Sequence, residues 1–401
     1  MIPNTTPLLE QIRVLDLSRV LAGPYCTMLL GDLGAEVIKV EVPEKGDDTR
    51  HWGPPFNSEG DTAYYLSVNR NKKSITLNLK SSEGQEILRK LIARSDVLIE
   101  NFRTGTLEKW GLDYGSLQEM RPGLVYCSIT GFGHTGPYKN RPGYDFIVQA
   151  LGGLMSITGP EEGPPSKVGV AVIDIFSGLF AANAILAALL SRSVTGKGQR
   201  IDISLLDCAV AVLANQAGNY LVSGEVPLRH GNAHPNIVPY EIFQAADGYF
   251  AMGIGNDVQW IRFCQVTNRP DWAEDARFKT NPERVHNRVI LVELLNRLFS
   301  TRSVDHWLDL FHDAHVSAAP VNQIDQVFAD PQVQAREMQI NFTSEGGVRI
   351  PQVGSPLKIP TSPVQYRYPP PRLGGSTEEI LRQLAGLSLE EIAALRRKKI
   401  I

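Results

Sequence analysis

One carboxylate in this chain stands at a seam between two kinds of sequence. In SKVGVAVIDIFSGLFAANAILAALL, Ser166 to Leu190, Asp174 separates a run of small and β-branched residues, Val168 to Ile173, from an Ala- and Leu-rich stretch at helical spacing, Phe176 to Leu190. The first run predicts a buried strand and the second a helix. Such a seam puts Asp174 at a helix N-terminus, among unpaired backbone N–H groups and the positive end of the dipole. That setting predicts an ionised carboxylate available as a nucleophile. The same position also suits a plain helix cap, for which Asp is a favoured residue.

Three polar stretches could hold a ligand: NRNKKS (Asn69 to Ser74), ENFRTG (Glu100 to Gly105) and GHTGPYKNRPGYD (Gly133 to Asp145). With their neighbours they offer Arg70, Lys72, Lys73, Lys80, Arg103, Lys109, Lys139 and Arg141, and Phe102 lies among them. Cations beside an aromatic ring suit a phosphorylated, purine-bearing ligand held by ion pairs and stacking. Any one of these lysines, taken alone, reads as a solvated surface charge. Further on, Gly253 and Gly255 in GIGN would let backbone approach a ligand closely.

Regular alternation positions these groups. Ile12 to Leu17 predicts a strand, Pro24 to Leu33 a helix opened by Pro, and Glu36 to Glu41 a second strand, which together make a βαβ unit. Its turn reads SRVLAGP and lacks GxGxxG, which disfavours a dinucleotide site. Strands at Lys73 to Leu79, Asp96 to Glu100 and Leu124 to Thr130, with a helix at Ser82 to Ala93, continue the pattern and imply a parallel α/β sheet. After the Asp174 helix, a Gly-rich turn at Thr195 to Gln199 leads into a short strand and a helix, readable as no more than a hairpin. Gly224 to Tyr240, dense in Pro, Gly and Asn, predicts a long irregular connection at a domain boundary. A hairpin follows (Tyr240 to Phe243, Tyr249 to Met252), then helices, a Pro-rich return and a last helix at Thr377 to Lys398.

Composition narrows the partners. At 401 residues the chain exceeds one typical core, so two domains are expected. Hydrophobic residues make up 43% and charged residues 21%, with a net charge of -3. That balance gives no basis for a nucleic-acid or membrane partner and favours a small molecule. Cys26, Cys127, Cys208 and Cys264 are scattered without a CxxC pair, so neither a metal site nor a disulfide framework is indicated. The opening residues show no basic segment followed by an apolar core, and no unbroken run of 18 apolar residues occurs, which predicts a cytoplasmic protein.

Taken together and in order, RVLAGPYCT, LGAEVIKVEVPEKGDDTR, NRNKKSITLNLK, ENFRTGTLEKWGLDY, the GYD at Gly143 to Asp145, Asp174, TGKGQRIDISLLD and PNIVPYEIF resemble the class III CoA-transferases. That family includes formyl-CoA transferase, carnitine CoA-transferase and α-methylacyl-CoA racemase. The resemblance implies a Rossmann-like large domain built from both ends of the chain (1–222 and 331–401), a smaller α+β domain (223–330) and an interlocked homodimer. It also implies that Asp174 is the covalent nucleophile and that a coenzyme A thioester is a substrate, with no tightly bound cofactor. Coenzyme A would be lined by Val20, Leu21, Ala22, Leu77, Lys80, Asn101, Phe102, Arg103, Lys109 and Arg141. Backbone near Gly253 and Gly255 would supply oxyanion donors.

Leu21 and Val42 stand where formyl-CoA transferase has Gln and Arg, and GIGN is shorter than its glycine-rich loop, which argues against a formyl or oxalyl substrate. The racemase pattern has His-Asp where this chain has Tyr144 and Asp145, and a phenol titrating near about 10 is a poor base. Transferase is therefore preferred to racemase, and both to a silent CoA-binding protein in which Asp174 only caps. The stretch HGNAHPNIVPY, with AADGYFAMGIGND, resembles the branch moving CoA from succinyl-CoA to another dicarboxylic acid. Arg19, Arg229, His230 and His234 are the candidates for the distal carboxylate, with Tyr144 also at the substrate.

Overall fold

The computed structural model describes residues 6–401. The first five, part of the stretch weighed above for a leader, lie outside the described residues. Two compact units form: the chain up to Gly153 with Val168–Ala217 and Pro331–Ile401, and Leu154–Lys167 with Gly218–Asp330. The segment Leu154–Lys167, which the sequence assigned to the large domain, thus belongs to the smaller unit.

The larger unit begins β1 (Arg13–Asp16), α1 (Ala22–Asp32), β2 (Glu36–Glu41), α2 (Ala63–Val68), β3 (Lys72–Thr76), α3 (Ser82–Ile92) and β4 (Val97–Glu100). It continues with α4 (Tyr114–Met120), β5 (Val125–Thr130), α5 (Asp145–Leu151), α6 (Val172–Thr195), β6 (Arg200–Ser204), α7 (Leu205–Ala211) and the start of α8 (Ala214–Ser223). Its six strands pair in the order β3-β2-β1-β4-β5-β6, every neighbour parallel. β6 pairs with β5 in parallel, so the Gly-rich turn before it closes a crossover and not a hairpin. The order reverses between β1 and β4, and an open sheet of this kind offers its ligand crevice outside the carboxyl ends of those strands.

The central strands β1, β2, β4 and β5 are buried along nearly their whole length, as a parallel sheet covered on both faces requires. One face packs Leu15, Ile38, Ile75 and Leu98 against Ile87, Leu88 and Leu91 of α3 and Ile380 and Leu381 near the C-terminus. On α6, Ile173, Ser177, Ala181, Ile185 and Ala188 form the buried stripe. α6 is long and apolar enough to cross a membrane, and Leu190 (72% exposed) and Val194 (86%) lie off its buried stripe. α1 packs against α6. At their closest approach a Cβ on Gly178 would fall 2.6 Å from the Ala22 carbonyl oxygen, so the contact requires glycine there.

The smaller unit holds an antiparallel sheet of β7 (Tyr240–Gln244), β8 (Tyr249–Gly253) and β9 (Ser317–Pro320). Around it lie α9 (Asp257–Val266), α10 (Pro270–Glu274), α11 (Asn281–His286), α12 (Arg288–Phe299), α13 (Val304–Asp313) and α14 (Ile324–Ala329). Trp260, Phe263, Phe299, Trp307 and Phe311 fill its core. The chain then returns to the larger unit through α15 (Pro331–Ala335), the hairpin β10 (Gln339–Thr343) and β11 (Arg349–Val353), α16 (Thr377–Ala385) and α17 (Leu389–Arg397). The single terminal helix expected from sequence is two helices. Gly386, at φ +69°, ends α16 in the left-handed conformation, and Ser388 and Glu391 restart α17 with a reciprocal capping box.

Candidate active site

No side chain caps α6 from its own N-cap position, which is Ala171. Asp145, in the first turn of α5, does so from outside. Its Oδ1 accepts the backbone N–H of Ile173 (2.8 Å) and of Asp174 (3.3 Å), and its Oδ2 accepts from Gln149 Nε2 (2.6 Å). Gln149 Oε1 in turn accepts the Val168 N–H at 3.0 Å. The N–H groups at the two ends of the segment predicted as a strand, Val168 and Ile173, are therefore taken by two side chains of α5, and that of Val172 by the Val170 carbonyl, not by a sheet ladder. The β-branched run stays irregular to Ala171 and becomes helical at Val172, tertiary context overriding propensity.

Asp174 is thus the third residue of α6, neither cap nor strand end. It is half-buried, and its carboxyl is pushed up to about 7, first by burial and then by the nearby Asp145. This reverses the expectation that the helix N-terminus holds it ionised. Asp145 has taken the N–H donors that would have stabilised the charge, so desolvation and like-charge repulsion win. Among the described residues the Asp174 carboxylate has no ion-pair or hydrogen-bonding partner.

Tyr64 of α2 lies within electrostatic reach. Burial pushes its hydroxyl up to about 12, with Asp174, Asp145 and Asp47 adding to the shift, so it remains a protonated donor at neutral pH. Its ring meets Trp52 edge-on at 5.4 Å. Sequence reasoning missed Tyr64, and nothing in the short stretch AYYLSV marks it.

At the sheet's crevice a cavity of about 400 Å³ opens over the ends of β1, β2 and β3. Its lining includes Ser18, Arg19, Leu77, Lys80, Phe102 and Trp110, together with the loop Val42 to Asp48 and Lys399. Leu77, Lys80 and Phe102, three of the residues expected at coenzyme A, are thus brought together in one cavity, with Phe102 edge-on to Trp110 at 6.1 Å. Val20 and Leu21 belong to the turn whose Ser18 and Arg19 line the cavity, and Ala22 opens α1 directly after it. Asn101 clamps that turn across the switch point: its Oδ1 accepts the Arg19 N–H (3.0 Å) and its Nδ2 donates to the Arg19 carbonyl (2.8 Å).

The remaining cations separate from this group. Arg103 lines a different, 60 Å³ cavity with Glu100, His134 and Arg200, where burial pushes the Glu100 carboxyl up to about 7. Lys109 is exposed and Arg141 stacks on the Tyr138 ring at 3.8 Å; neither lines the 400 Å³ cavity. Arg70 and Lys72 are consumed internally, by Asp32 (2.6 Å) and Asp16 (3.3 Å), and Lys73 pairs with Glu36 and Glu379. These three are structural ion pairs and not ligand cations. The stretch VPEKGDD, which entered the sequence reading only as part of the family resemblance, is a charged loop whose Lys45 reaches the cavity.

Tyr144, 68% exposed, precedes Asp145 at the start of α5. In the smaller unit, His234 Nδ1 accepts the Asn236 N–H (3.1 Å), its ring packs on Tyr240, and Arg288 holds its carbonyl (2.6 Å). Gly253 ends β8 against the Tyr240 ring, and the Gly255 N–H is already donated to Gln259 Oε1 (2.7 Å). Arg229 is committed to the carbonyls of Pro160 and Gly163, Arg19 pairs with Asp48, and His230 lines a cavity with Glu241 and Arg288.

A bare, partly protonated carboxyl within electrostatic reach of a phenol, on a helix packed against the turn at a 400 Å³ crevice, suits covalent acyl chemistry. The comparisons with known proteins agree. A succinate–glutarate CoA-transferase of Agrobacterium fabrum is 47% identical over 387 residues, covering 95% of this chain and 97% of its own. A human succinyl-CoA:glutarate CoA-transferase is 45% identical over 95% of this chain and 87% of its own. The crystal structure of a CAIB/BAIF family protein from Brucella suis superposes with a TM-score of 0.83 at 47% identity, over 95% of this chain and all of that one. The model of CoA-transferase family III matches residues 9–377, and the chain belongs to that family.

Proposed function

We propose that this enzyme moves CoA from succinyl-CoA to a second dicarboxylic acid, glutarate or one of similar length, with Asp174 as the covalent carrier. The observation that carries the reading is the unpartnered Asp174 carboxyl beside a second carboxylate that takes up the local donors. Once ionised, an Asp174 oxygen attacks the thioester carbonyl. The C–S bond breaks, CoA leaves as thiolate, and a succinyl–aspartyl anhydride forms. The thiolate then attacks the aspartyl carbonyl, succinate departs with the bridging oxygen, and an aspartyl–CoA thioester remains. The acceptor carboxylate displaces CoA from Asp174 to give a new anhydride. CoA attacks the acceptor's acyl carbon and frees the Asp174 carboxylate. Each hard exchange is divided into displacements on an enzyme-held acyl group.

A carboxyl with a raised pKa is a stronger nucleophile once deprotonated, which suits the opening attack on the donor thioester; Asp174 departs only in the last step, when CoA attacks the acceptor's acyl carbon. Tyr64, a protonated phenol within electrostatic reach of Asp174, is the side chain we assign as a donor to the oxyanions of the tetrahedral intermediates. Lys80, Phe102 and Trp110 would receive the nucleotide end of CoA. The names of relatives at 45–47% identity support the substrate pair. The test is a panel of succinyl-, acetyl- and butyryl-CoA donors against mono- and dicarboxylic acceptors, with the CoA products separated by chromatography. Preference for succinyl-CoA and a dicarboxylic acceptor is expected, and a preference for monocarboxylic groups would overturn it.

A second copy of this chain is the partner we infer for the exposed apolar residues Phe146, Ile147 and Leu151 of α5 and Leu190 and Val194 of α6. An interlocked dimer would cover them, and the cytoplasm is where we place it.

A further inference from the structure

The turn joining β1 to α1 holds a β-branched residue where such residues are rarely found. Val20 has φ +72°, the left-handed region, which for a valine is strained and persists only where its surroundings impose it. The surroundings are explicit. Both carboxylate oxygens of Asp47 accept the Val20 N–H at 3.2 Å. Lys39 Nζ donates to the preceding Ser18 carbonyl and to Asp47 Oδ2, each at 2.9 Å. The Lys39 and Asp47 side chains are 1% and 0% exposed. Asp47 is itself held, its N–H by Glu41 Oε2 (2.9 Å) and its Oδ1 by the Thr49 hydroxyl (2.8 Å).

A buried ion pair is weak evidence of stabilisation, because desolvation offsets most of the attraction. Its value here lies in geometry. One pair fastens the turn on either side of Arg19, whose own backbone Asn101 clamps. Two residues beyond Val20, the Ala22 carbonyl meets Gly178, one helical turn along α6 from Asp174.

We propose that Lys39 and Asp47 are positioning residues of the transfer reaction: they hold Val20 left-handed so that the Val20–Ala22 turn presents the acyl-CoA thioester to Asp174. The inference rests on the reading that this turn borders the CoA site. Nothing in it requires either side chain to touch substrate.

The test is a cycle between the pair and the residue it strains. Lys39→Met/Asp47→Asn removes both charges together, leaving no buried ion unpaired, and is measured with Val20 in place and again in the Val20→Gly background. Glycine enters the left-handed region without strain, so it keeps the turn when the pair is gone. The expected result is a loss in kcat/KM for the donor of about tenfold or more with Val20, and about threefold or less after Val20→Gly, a coupling of the size contacting residues show. Equal losses in the two backgrounds, or none in either, would overturn the proposal, since a merely structural pair would change thermal stability alike in both. Should the neutral pair fail to fold, Asp47→Glu keeps the charge opposite Lys39 and displaces the carboxylate by one methylene; the same two outcomes decide. Lys80→Ala, assayed alongside, reports on the CoA site by itself: an unchanged donor KM there would remove that reading whatever the cycle shows.

Discussion

Asp145 Oδ1 lies 3.3 Å from the backbone nitrogen of Asp174 and accepts its N–H, so one carboxylate caps the helix that carries the other. The capping carboxylate occupies the donors, and the second is left without them. Replacing Asp145 by Asn keeps an oxygen acceptor for the helix and removes the charge. The acidic limb of kcat/KM, expected near pH 7 in the wild type, should move to lower pH in Asp145→Asn. It should stay well above about 4, the ordinary carboxylate range, because burial is the larger cause. A limb that does not move would separate the two carboxylates.

The raised Asp174 carboxyl also costs stability. Its folded pKa, about 7, exceeds the ordinary value of 3.8, so the folded state binds the proton more tightly and stability falls as pH rises between those values. Asp174→Asn should therefore be more stable than the wild type at pH 8, by about 1–4 kcal/mol, with the gap closing toward pH 4. Denaturant unfolding at the two pH values measures it, and a variant less stable at pH 8 would contradict the desolvated state of this group.

Which of these features the sequence reveals depends on how local their causes are. β2 and the parallel alternation of strand and helix follow from apolar runs and turns, whereas the crossover into β6 reads as a hairpin, and the Asp174 seam is visible as a change of period. The charge state of Asp174 is not, because it depends on Asp145, which lies 29 residues away and reaches the helix through space. The same capture of N–H groups turned an expected strand at Val168 to Ile173 into loop and helix. Likewise, nothing in NRNKKS distinguishes Arg70 and Lys72, buried against Asp32 and Asp16, from cations that face a ligand. The missing information is which neighbour each charge meets.

Cations at the cavity should differ from those elsewhere. Lys80→Ala is expected to raise the KM for the acyl-CoA donor several-fold, more at low salt than at high salt, as screening of a phosphate contact requires. Lys109→Ala, outside the lining, should leave it within about twofold. Steady-state kinetics at two ionic strengths decide, and the reverse ranking would relocate the nucleotide site.

The α1–α6 contact is close-packed at Gly178. Gly178→Ala would place a methyl 2.6 Å from the Ala22 carbonyl, where the neighbour is backbone and cannot yield cheaply. Unfolding measurements should show a loss of about 1–3 kcal/mol, and kcat/KM should fall as the turn and the nucleophile separate. A neutral substitution would show that the two helices move apart freely.

Covalent catalysis by Asp174 is the centre of the mechanism, and intact-protein mass measurement tests it most directly. After incubation with succinyl-CoA and no acceptor, wild-type enzyme should gain a CoA adduct that peptide mapping assigns to Asp174 and that a dicarboxylic acceptor discharges as its CoA ester. Asp174→Asn should gain none. An adduct on another residue, or wild-type turnover by Asp174→Asn, would contradict it.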